Sequence, residues 1–344
     1  MVIVLNRASC RVRNAIVRVC AIGLVAGLLT PTARSGRAAA ADPPGTIVGV
    51  DMSRPKPGAA EHRYRIVGKL RLALFWVSRD DVGSARMSWQ SDGSTTALTL
   101  LLGSDPQRAP RGLNQWGYLR EEVRRGLTDV FSLRSVNRDG DDPSGGFGVG
   151  NGPEFGVSCA AVGDDEVSIR QTRVNARGVS YRMFDQLLDL IGASPRWEQR
   201  LMPRPSGAAP GFLTAMQQAI RLSETDAGDD GAKTRRTVTY VYNDSVYDLT
   251  TQGRESLDRT TIGTRTFEQL MRTQLSIRNR TTTDVTKLEL TYAPEDGAVL
   301  PVQIFYQPSF WLRIEIRLDD DADVPADPAT DEAMLSRIRA ICAH

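Results

Sequence analysis

Residues 236–257 (RTVTYVYNDSVYDLTTQGRESL) and residues 270–319 (LMRTQLSIRNRTTTDVTKLELTYAPEDGAVLPVQIFYQPSFWLRIEIRLD) decide the fold, because they predict a C-terminal antiparallel β-meander. The last predicted strand alternates between apolar and charged side chains. Its apolar residues are Leu312, Ile314, Ile316 and Leu318, and its charged residues are Arg313, Glu315, Arg317 and Asp319. A period of two places the two sets on opposite faces of a strand. The pattern therefore predicts a sheet with one buried face and one solvated face.

A second meander is predicted nearer the N-terminus. Residues 62–103 predict three strands, the last two joined by a hairpin turn at 91–94. Apolar residues at helical spacing predict helices at 181–191, 210–222 and 328–342, and a short helix at 119–127. We therefore predict an α+β, mainly β fold, with one curved, half-barrel-like antiparallel sheet and helices packed on its concave face. Two separate sheets are the alternative that the sequence leaves open.

The first 41 residues have the composition of an export signal. Arginines and no acidic residue accompany an apolar run at 20–29, and small residues precede Asp42. The apolar run is too short to cross a bilayer core of about 30 Å as a helix. The predicted organisation is a signal peptide at 1–41, a disordered linker at 42–61, a single curved-sheet domain at 62–319 with a helical insertion at about 176–222, and a loop with a C-terminal helix at 320–344.

Removal of the signal peptide changes the charge of the protein. The full chain has a formal charge of +2, and residues 1–41 hold six arginines and no acidic residue, so subtracting six leaves −4. A mildly acidic protein has no global electrostatic attraction for nucleic acid. We therefore expect an exported protein, periplasmic or extracellular, with no transmembrane span in the mature chain and no nucleic-acid partner.

Two cysteines remain in the predicted mature chain, Cys159 and Cys342. In an oxidising compartment, two cysteines can pair. A bond between them would tie the C-terminal helix to the middle of the fold. Two separate buried thiols are the alternative, and the sequence does not decide between the two states.

Groups for catalysis or metal binding are scarce in the chain. The two histidines, His62 and His344, are far apart in sequence, whereas a catalytic triad needs a positioned base and a zinc site needs closely spaced ligands. Residues 137–142 resemble a calcium loop, but Asp142 stands where glycine is needed. The glycine-rich residues 146–152 lack the preceding strand and following helix of a phosphate loop. We therefore predict no catalytic residue, no metal and no cofactor.

Neighbouring carboxylates leave a secreted hydrolase as an alternative function. The groups are Asp80–Asp81, Glu121–Glu122 and Asp319–Asp321. Glycosidase-type chemistry needs two carboxylates that face each other across a cleft. Neighbours on a strand point to opposite faces, so turn or surface charge is the preferred interpretation. A structural or assembly protein with no ligand cavity is a further alternative.

Several short motifs of the two meanders resemble a known family. They are Gly253–Leu257, Thr283–Leu288, Tyr292–Gly297, Leu300–Val302, Arg313–Glu315 and the opening strand Tyr64–Phe75 with Gly68 inside it. They look like strands of uncharacterised periplasmic bacterial proteins that are similar in outline to the lipoprotein-localisation half-barrels (the LolA/LolB-like fold). The resemblance implies a curved sheet around an apolar cavity for an acyl chain, and it implies no catalytic residue. It covers the two meanders, but not residues 137–152 or 176–235.

Aromatic residues are the candidates for such a pocket. They are Trp76, Trp89, Trp116, Tyr118, Phe147, Tyr306 and Trp311. Most aromatic residues in strands are expected to pack in a core, while those near loops can line the mouth of a cavity. We therefore predict an exported envelope protein that, without catalysis, binds a lipid-like or other hydrophobic ligand, or an envelope protein partner.

Overall fold

The computed structural model describes residues 58–72, 75–109, 114–136, 154–194, 196–225, 235–295, 298–309 and 312–343. The first eight strands are β1 (Gly58–Leu72), β2 (Phe75–Ser91), β3 (Thr96–Ser104), β4 (Trp116–Arg124), β5 (Leu127–Val136), β6 (Glu154–Val162), β7 (Glu166–Asn175) and β8 (Glu198–Pro203). The others are β9 (Arg235–Tyr242), β10 (Ser245–Leu257), β11 (Thr260–Ile262), β12 (Arg265–Phe267), β13 (Leu270–Asn279), β14 (Val285–Glu295), β15 (Ala298–Ser309) and β16 (Leu312–Leu318). The helices are α1 (Phe184–Gly192), α2 (Phe212–Thr225) and α3 (Glu332–Ala343), and a 3-10 turn at Pro328–Thr330 precedes α3.

Fourteen of the sixteen described strands form a single antiparallel sheet, so the two predicted meanders belong together. Their order is β8-β7-β6-β5-β4-β3-β2-β1-β16-β15-β14-β13-β10-β9. The meanders meet where β1 pairs with β16, from Tyr64 opposite Leu318 to Leu70 opposite Leu312. β11 and β12 form a separate hairpin. The prediction of one large antiparallel sheet in a mainly β fold is confirmed.

Helix α2 lies on the concave face of the sheet, within its larger core. It contacts β3 of the N-terminal meander and β9, β10 and β15 of the C-terminal meander, although these strands are far apart in the sheet. One helix can reach all four only because the sheet curves around it. Ala215 and Ala219 are completely buried in the same core as Tyr240 and Leu290. These small side chains allow close packing between the helix and its neighbours.

Helices α1 and α3 lie on the opposite face of the sheet, over the N-terminal meander. Adjacent residues Leu100 and Leu101 belong to different cores, so β3 separates the two. The second core is aromatic: the ring of Phe184 in α1 lies 5.0 Å from that of Tyr118 and 6.0 Å from that of Trp116. Of the three described helices, only α2 therefore lies on the concave face. The apolar row on the outer face of the N-terminal meander accounts for the position of the other two.

The outer face of the C-terminal meander carries charge, as the alternation predicts. Glu315 is bonded across the strands to Lys69 Nζ at 2.5 Å and to Gln303 Nε2 at 2.5 Å, and it also pairs with Arg317. Burial alone would raise the pKa of Glu315, but the hydrogen bonds from Arg317 and Lys69 outweigh burial and lower that pKa. The carboxylate is therefore ionised at neutral pH.

The predicted helix at 119–127 is wrong, because β4 and β5 occupy these residues. Leu119 pairs with Leu100 of β3 on one side and with Ser132 of β5 on the other. Leu, Arg and Glu have good helix propensity, but propensity is a weak preference that strand pairing overrides here. Consequently, Glu121 and Glu122 point to opposite faces of the sheet.

Two predicted boundaries also move. β1 begins at Gly58, inside the range assigned to the linker (42–61), and β8 forms inside the predicted helical insertion (176–222). Residues 1–57 lie outside the described residues, as do 137–153 with their calcium-like and glycine-rich segments. The signal peptide and its cleavage therefore remain predictions.

Candidate functional site

The predicted pocket residues that the structure describes lie in three different parts of the fold. Trp116 and Tyr118 are buried beneath α1, whereas Trp89 and Tyr306 pack in the core on the concave face. Trp76 lies near the start of β2 and is 41% exposed. The remaining candidates, Phe147 and Trp311, lie outside the described residues. The described members of the set therefore do not line one common cavity.

The concave face is organised by a buried carboxylate that holds the N-terminus of α2. Glu121 is 0% exposed, and it accepts hydrogen bonds from Leu213 N at 2.7 Å, Thr214 N at 2.9 Å and Thr214 Oγ1 at 2.7 Å. A Cβ at Gly211 would lie 2.4 Å from Glu121 Oε1, so only glycine admits the carboxylate here. Burial raises the pKa of Glu121, and the bonds from Thr214 and Leu213 only partly offset this rise.

Sequence reasoning missed the role of Glu121 but had a signal for it. The predicted helix at 210–222 begins with Pro210 and Gly211, and no Ser, Thr, Asp or Asn stands at its start to cap it. The first N–H groups of a buried helix need acceptors from elsewhere in the fold. A distant carboxylate is a natural supplier, because its negative charge also matches the positive end of the helix dipole.

Four of the other carboxylates singled out from the sequence, Glu122, Asp81, Asp319 and Asp320, take part in ion pairs, whereas Asp80 accepts a hydrogen bond from Ser78. Their partners are Arg120 and Arg339 for Glu122 (2.9 and 3.3 Å), Arg65 for Asp81 and Asp319 (2.8 and 2.6 Å), and Arg265 for Asp320 (2.5 Å). Among the described residues, no group of three or more His, Cys, Asp or Glu side chains could hold a metal ion. These pairs indicate a structural role for the carboxylates.

Cys159 and Cys342 are joined in a disulfide. Cys159 lies in β6 and Cys342 in the last turn of α3, with 5.4 Å between their Cα atoms. Arg337 of α3 also bonds Asp189 of α1 at 2.5 Å. The C-terminal helix is thus tied to the sheet and to its neighbouring helix.

Among the described strands, the β1–β2 hairpin extends past the ends of its two neighbours, β16 and β3. β1 pairs with β16 only as far as Leu70, and β2 pairs with β3 only from Gly83 onwards. The hairpin itself continues to the pair Leu72–Phe75. We call the described residues 69–72 and 75–79 the hairpin tip. Its last two residue pairs extend past β16 by about 7 Å, at about 3.4 Å per residue.

The hairpin tip exposes apolar side chains among cations. Trp76 is 41% and Val77 is 44% exposed. Trp76 lies opposite Arg71 across the hairpin. Arg71 and Arg79 are exposed, and neither forms an ion pair with the part of the chain that the structure describes. The tip therefore combines an aromatic ring, an aliphatic side chain and two exposed arginines, with Asp80 directly after Arg79.

Sequence reasoning placed Trp76 in a pocket and overlooked Val77. The available signal was the run 70–77 (LRLALFWV), in which the alternation of the opening strand gives way to consecutive apolar residues. Such a run at the end of a strand fits either a buried strand or an exposed apolar tip. The pairing of β1 and β2 with their neighbours determines which of the two forms.

Comparison with known proteins gives no relative from which a function follows. No protein-family model matches the chain, and no curated protein matches it. Among solved structures, it is similar to the crystal structure of a protein described as a "putative lipoprotein" from Parabacteroides distasonis, with 11% identity over 75% of this chain and 94% of that one. The TM-score of 0.24 is too low for this likeness to support an argument. No helix among the described residues is long and apolar enough to cross a bilayer.

Proposed function

We propose that this chain is an exported, non-catalytic envelope protein that binds lipid at a membrane surface through the hairpin tip. The observation that carries the proposal is the exposure of Trp76 and Val77 at the end of a projecting hairpin. Clustered apolar side chains on an exposed element mark an interaction surface. The neighbouring Arg71 and Arg79 favour an anionic surface as the partner.

The chemistry of the hairpin tip matches that of an interfacial anchor. Tryptophan favours the headgroup region of a bilayer, because its ring is apolar and its N–H still finds an acceptor. Burying the exposed parts of Trp76 and Val77 contributes about 3 kcal/mol. Arg71 and Arg79 each add about 1 kcal/mol near an anionic leaflet. A total of about 5 kcal/mol gives weak, reversible binding, comparable with that of a single myristoyl chain.

The position of α2 favours the surface of the protein over its interior as the lipid site. The resemblance to half-barrel proteins implies an acyl chain on the concave side of the sheet. In this chain, that side holds α2, whose first N–H groups are bonded to the buried Glu121. An interior acyl chain would have to displace the helix and leave these groups without partners, at a cost of about 1–3 kcal/mol each. Binding at the tip needs no such rearrangement.

Co-sedimentation with vesicles tests the proposal. We expect binding to vesicles that contain phosphatidylglycerol, and weaker binding to vesicles of phosphatidylcholine alone. Added salt should weaken binding, because it screens the arginines of the tip. The double variant Trp76→Ser, Val77→Ser should bind at least about 10-fold more weakly, since it loses about 3 kcal/mol of apolar burial.

Leu201→Ser is the matched control for the double variant. Leu201 is 63% exposed, but it lies on β8, at one edge of the sheet and away from the tip. Its substitution should leave vesicle binding unchanged. Equal binding by the wild type and the double variant would contradict the proposal. A wild type that binds no vesicle would favour the assembly protein without a lipid ligand.

A further inference from the structure

Arg134 lies on the concave face between two glycines of the adjacent strands. It lies in β5 opposite Gly117 of β4 and Gly156 of β6. The preceding residue, Leu133, belongs to the core beneath α1, so Arg134 points to the other, concave side. Neither flanking strand therefore places a side chain beside the guanidinium at this register. Two Cβ atoms are therefore missing next to Arg134 on the adjacent strands.

The guanidinium of Arg134 has no partner that satisfies its charge. Its Nη1 atom is buried and makes no hydrogen bond, and Arg134 forms no ion pair with any described residue. Among the carboxylates of the surrounding elements, Glu121 bonds the N-terminus of α2 and Asp244 pairs with Arg200 at 3.2 Å. Glu154 lies diagonally across from Arg134 on β6, but it forms no ion pair with Arg134. Arg173, at the next position across the sheet on β7, adds further positive charge.

Polar and aromatic groups of the β9–β10 hairpin complete the surroundings of Arg134. The hairpin turn reaches β5, where Ser132 Oγ donates to Asn243 Oδ1 at 3.2 Å. Tyr242 and Tyr247 lie next to the turn, with 6.5 Å between their ring centroids. Burial raises the pKa of Tyr242, and burial together with Tyr242 raises the pKa of Tyr247 to about 12, with Arg134 opposing both shifts. Both tyrosines stay neutral at pH 7, so they do not neutralise Arg134.

We infer that Arg134 binds an oxyanion, a carboxylate or phosphate, at this end of the concave face. A partly buried guanidinium without an acceptor is costly to fold, and an oxyanion relieves that cost through paired N–H···O bonds. The glycines of the flanking strands leave room for the anion, and the hydroxyl and amide groups of Ser132 and Asn243 lie beside it. The tyrosine rings offer an apolar wall for the chain of an amphiphile. The site is separate from the hairpin tip and does not depend on the proposed function.

Calorimetric titration of the exported, purified protein tests this inference with four probes: inorganic phosphate, octyl phosphate, octanoate and octyl glucoside. We expect octyl phosphate or octanoate to bind, and Arg134→Met to weaken that binding at least about 10-fold. The affinity of Arg134→Lys should lie between those of the wild type and Arg134→Met, because lysine keeps the charge but cannot form the paired hydrogen bonds of a guanidinium. Arg278→Met, at an exposed arginine of β13, should bind as the wild type does.

The four probes also identify the source of the oxyanion. Inorganic phosphate that binds as tightly as octyl phosphate would assign the site to a free ion, whereas tighter octyl phosphate would assign it to an amphiphile. Either result supports the inference if the Arg134→Met substitution abolishes binding of the anion. Octyl glucoside lacks an oxyanion and should not respond to Arg134→Met. Wild type that binds none of the anions, or Arg134→Met that binds them equally well, would overturn the inference.

Measurements of stability and of vesicle binding distinguish anion binding by Arg134 from a structural role and from membrane binding by the hairpin tip. Without ligand, Arg134→Met should unfold at the same temperature as the wild type or at a higher one, since it removes an unsatisfied charge. A lower unfolding temperature would overturn the inference by showing that Arg134 holds the fold together. Vesicle co-sedimentation should not change in Arg134→Met, so the anion site and the hairpin tip can fail independently.

Discussion

Replacing Cys342 by serine is expected to lower the free energy of unfolding by about 2–5 kcal/mol. The disulfide joins residues that are 183 positions apart, and a bond across so long a loop strongly restricts the unfolded chain. It also holds α3 against the sheet at Cys159, which is 5% exposed. Guanidinium titrations of the oxidised wild type and of Cys342→Ser give the difference directly.

Two comparisons show whether the bond itself is responsible. The double variant Cys159→Ser, Cys342→Ser should be about as stable as Cys342→Ser alone, because either substitution removes the same bond. Reductant should destabilise the wild type and leave the double variant unaffected. Wild-type protein that unfolds at the same midpoint with and without reductant would show that the bond makes no contribution.

Replacing Glu121 by alanine is expected to lower the free energy of unfolding by about 3 kcal/mol, close to the disulfide in effect. The substitution leaves Leu213 N, Thr214 N and Thr214 Oγ1 without their acceptor inside the core. Each buried donor that loses its partner costs about 1–3 kcal/mol, partly relieved by rearrangement. Glu268→Ala is the surface control, since Glu268 is 79% exposed and its pair with Arg259 at 3.6 Å contributes about 0–1 kcal/mol.

The pH dependence of stability distinguishes Glu121 from an ordinary helix cap. Its pKa in the folded protein is raised, so its contribution is complete below the ordinary value of 4.5 and is lost as the pH rises through the folded value. Glu121→Gln keeps an acceptor oxygen but cannot ionise. We therefore expect this variant to lack the decline in stability that Glu121 causes in the wild type above pH 4.5. Parallel pH profiles for the two proteins would contradict the assignment.

Local patterns predicted most of the secondary structure of the sheet. The alternation of residues 312–319 corresponds to β16, and the predicted helices at 181–191 and 210–222 correspond to α1 and α2. The failure at 119–127 has a clear physical cause, because Leu119 and Glu121 pair with strands on both sides. Strand pairing involves residues that are distant in sequence, so local propensity does not register it.

The candidate sites depended on contacts of this long-range kind. Glu121 caps a helix 92 residues further along the chain. Arg134 has no side chain directly opposite it, because its partners on the neighbouring strands are Gly117 and Gly156. Trp76 could be named from the sequence as a functional aromatic residue, but its place at a projecting tip follows from where β16 and β3 stop pairing. The sequence identifies these residues, but their neighbours in the fold depend on long-range strand pairing and helix packing.

An environment-sensitive fluorophore at the tip gives the most direct test of lipid binding. The probe would be attached to the exported, oxidised protein through Trp76→Cys and, in a second preparation, through Leu201→Cys on β8. On addition of phosphatidylglycerol vesicles, we predict a blue shift and quenching by lipid-bound quenchers at position 76, and neither change at position 201. A probe at position 76 that stays in water while the protein binds vesicles would contradict the account.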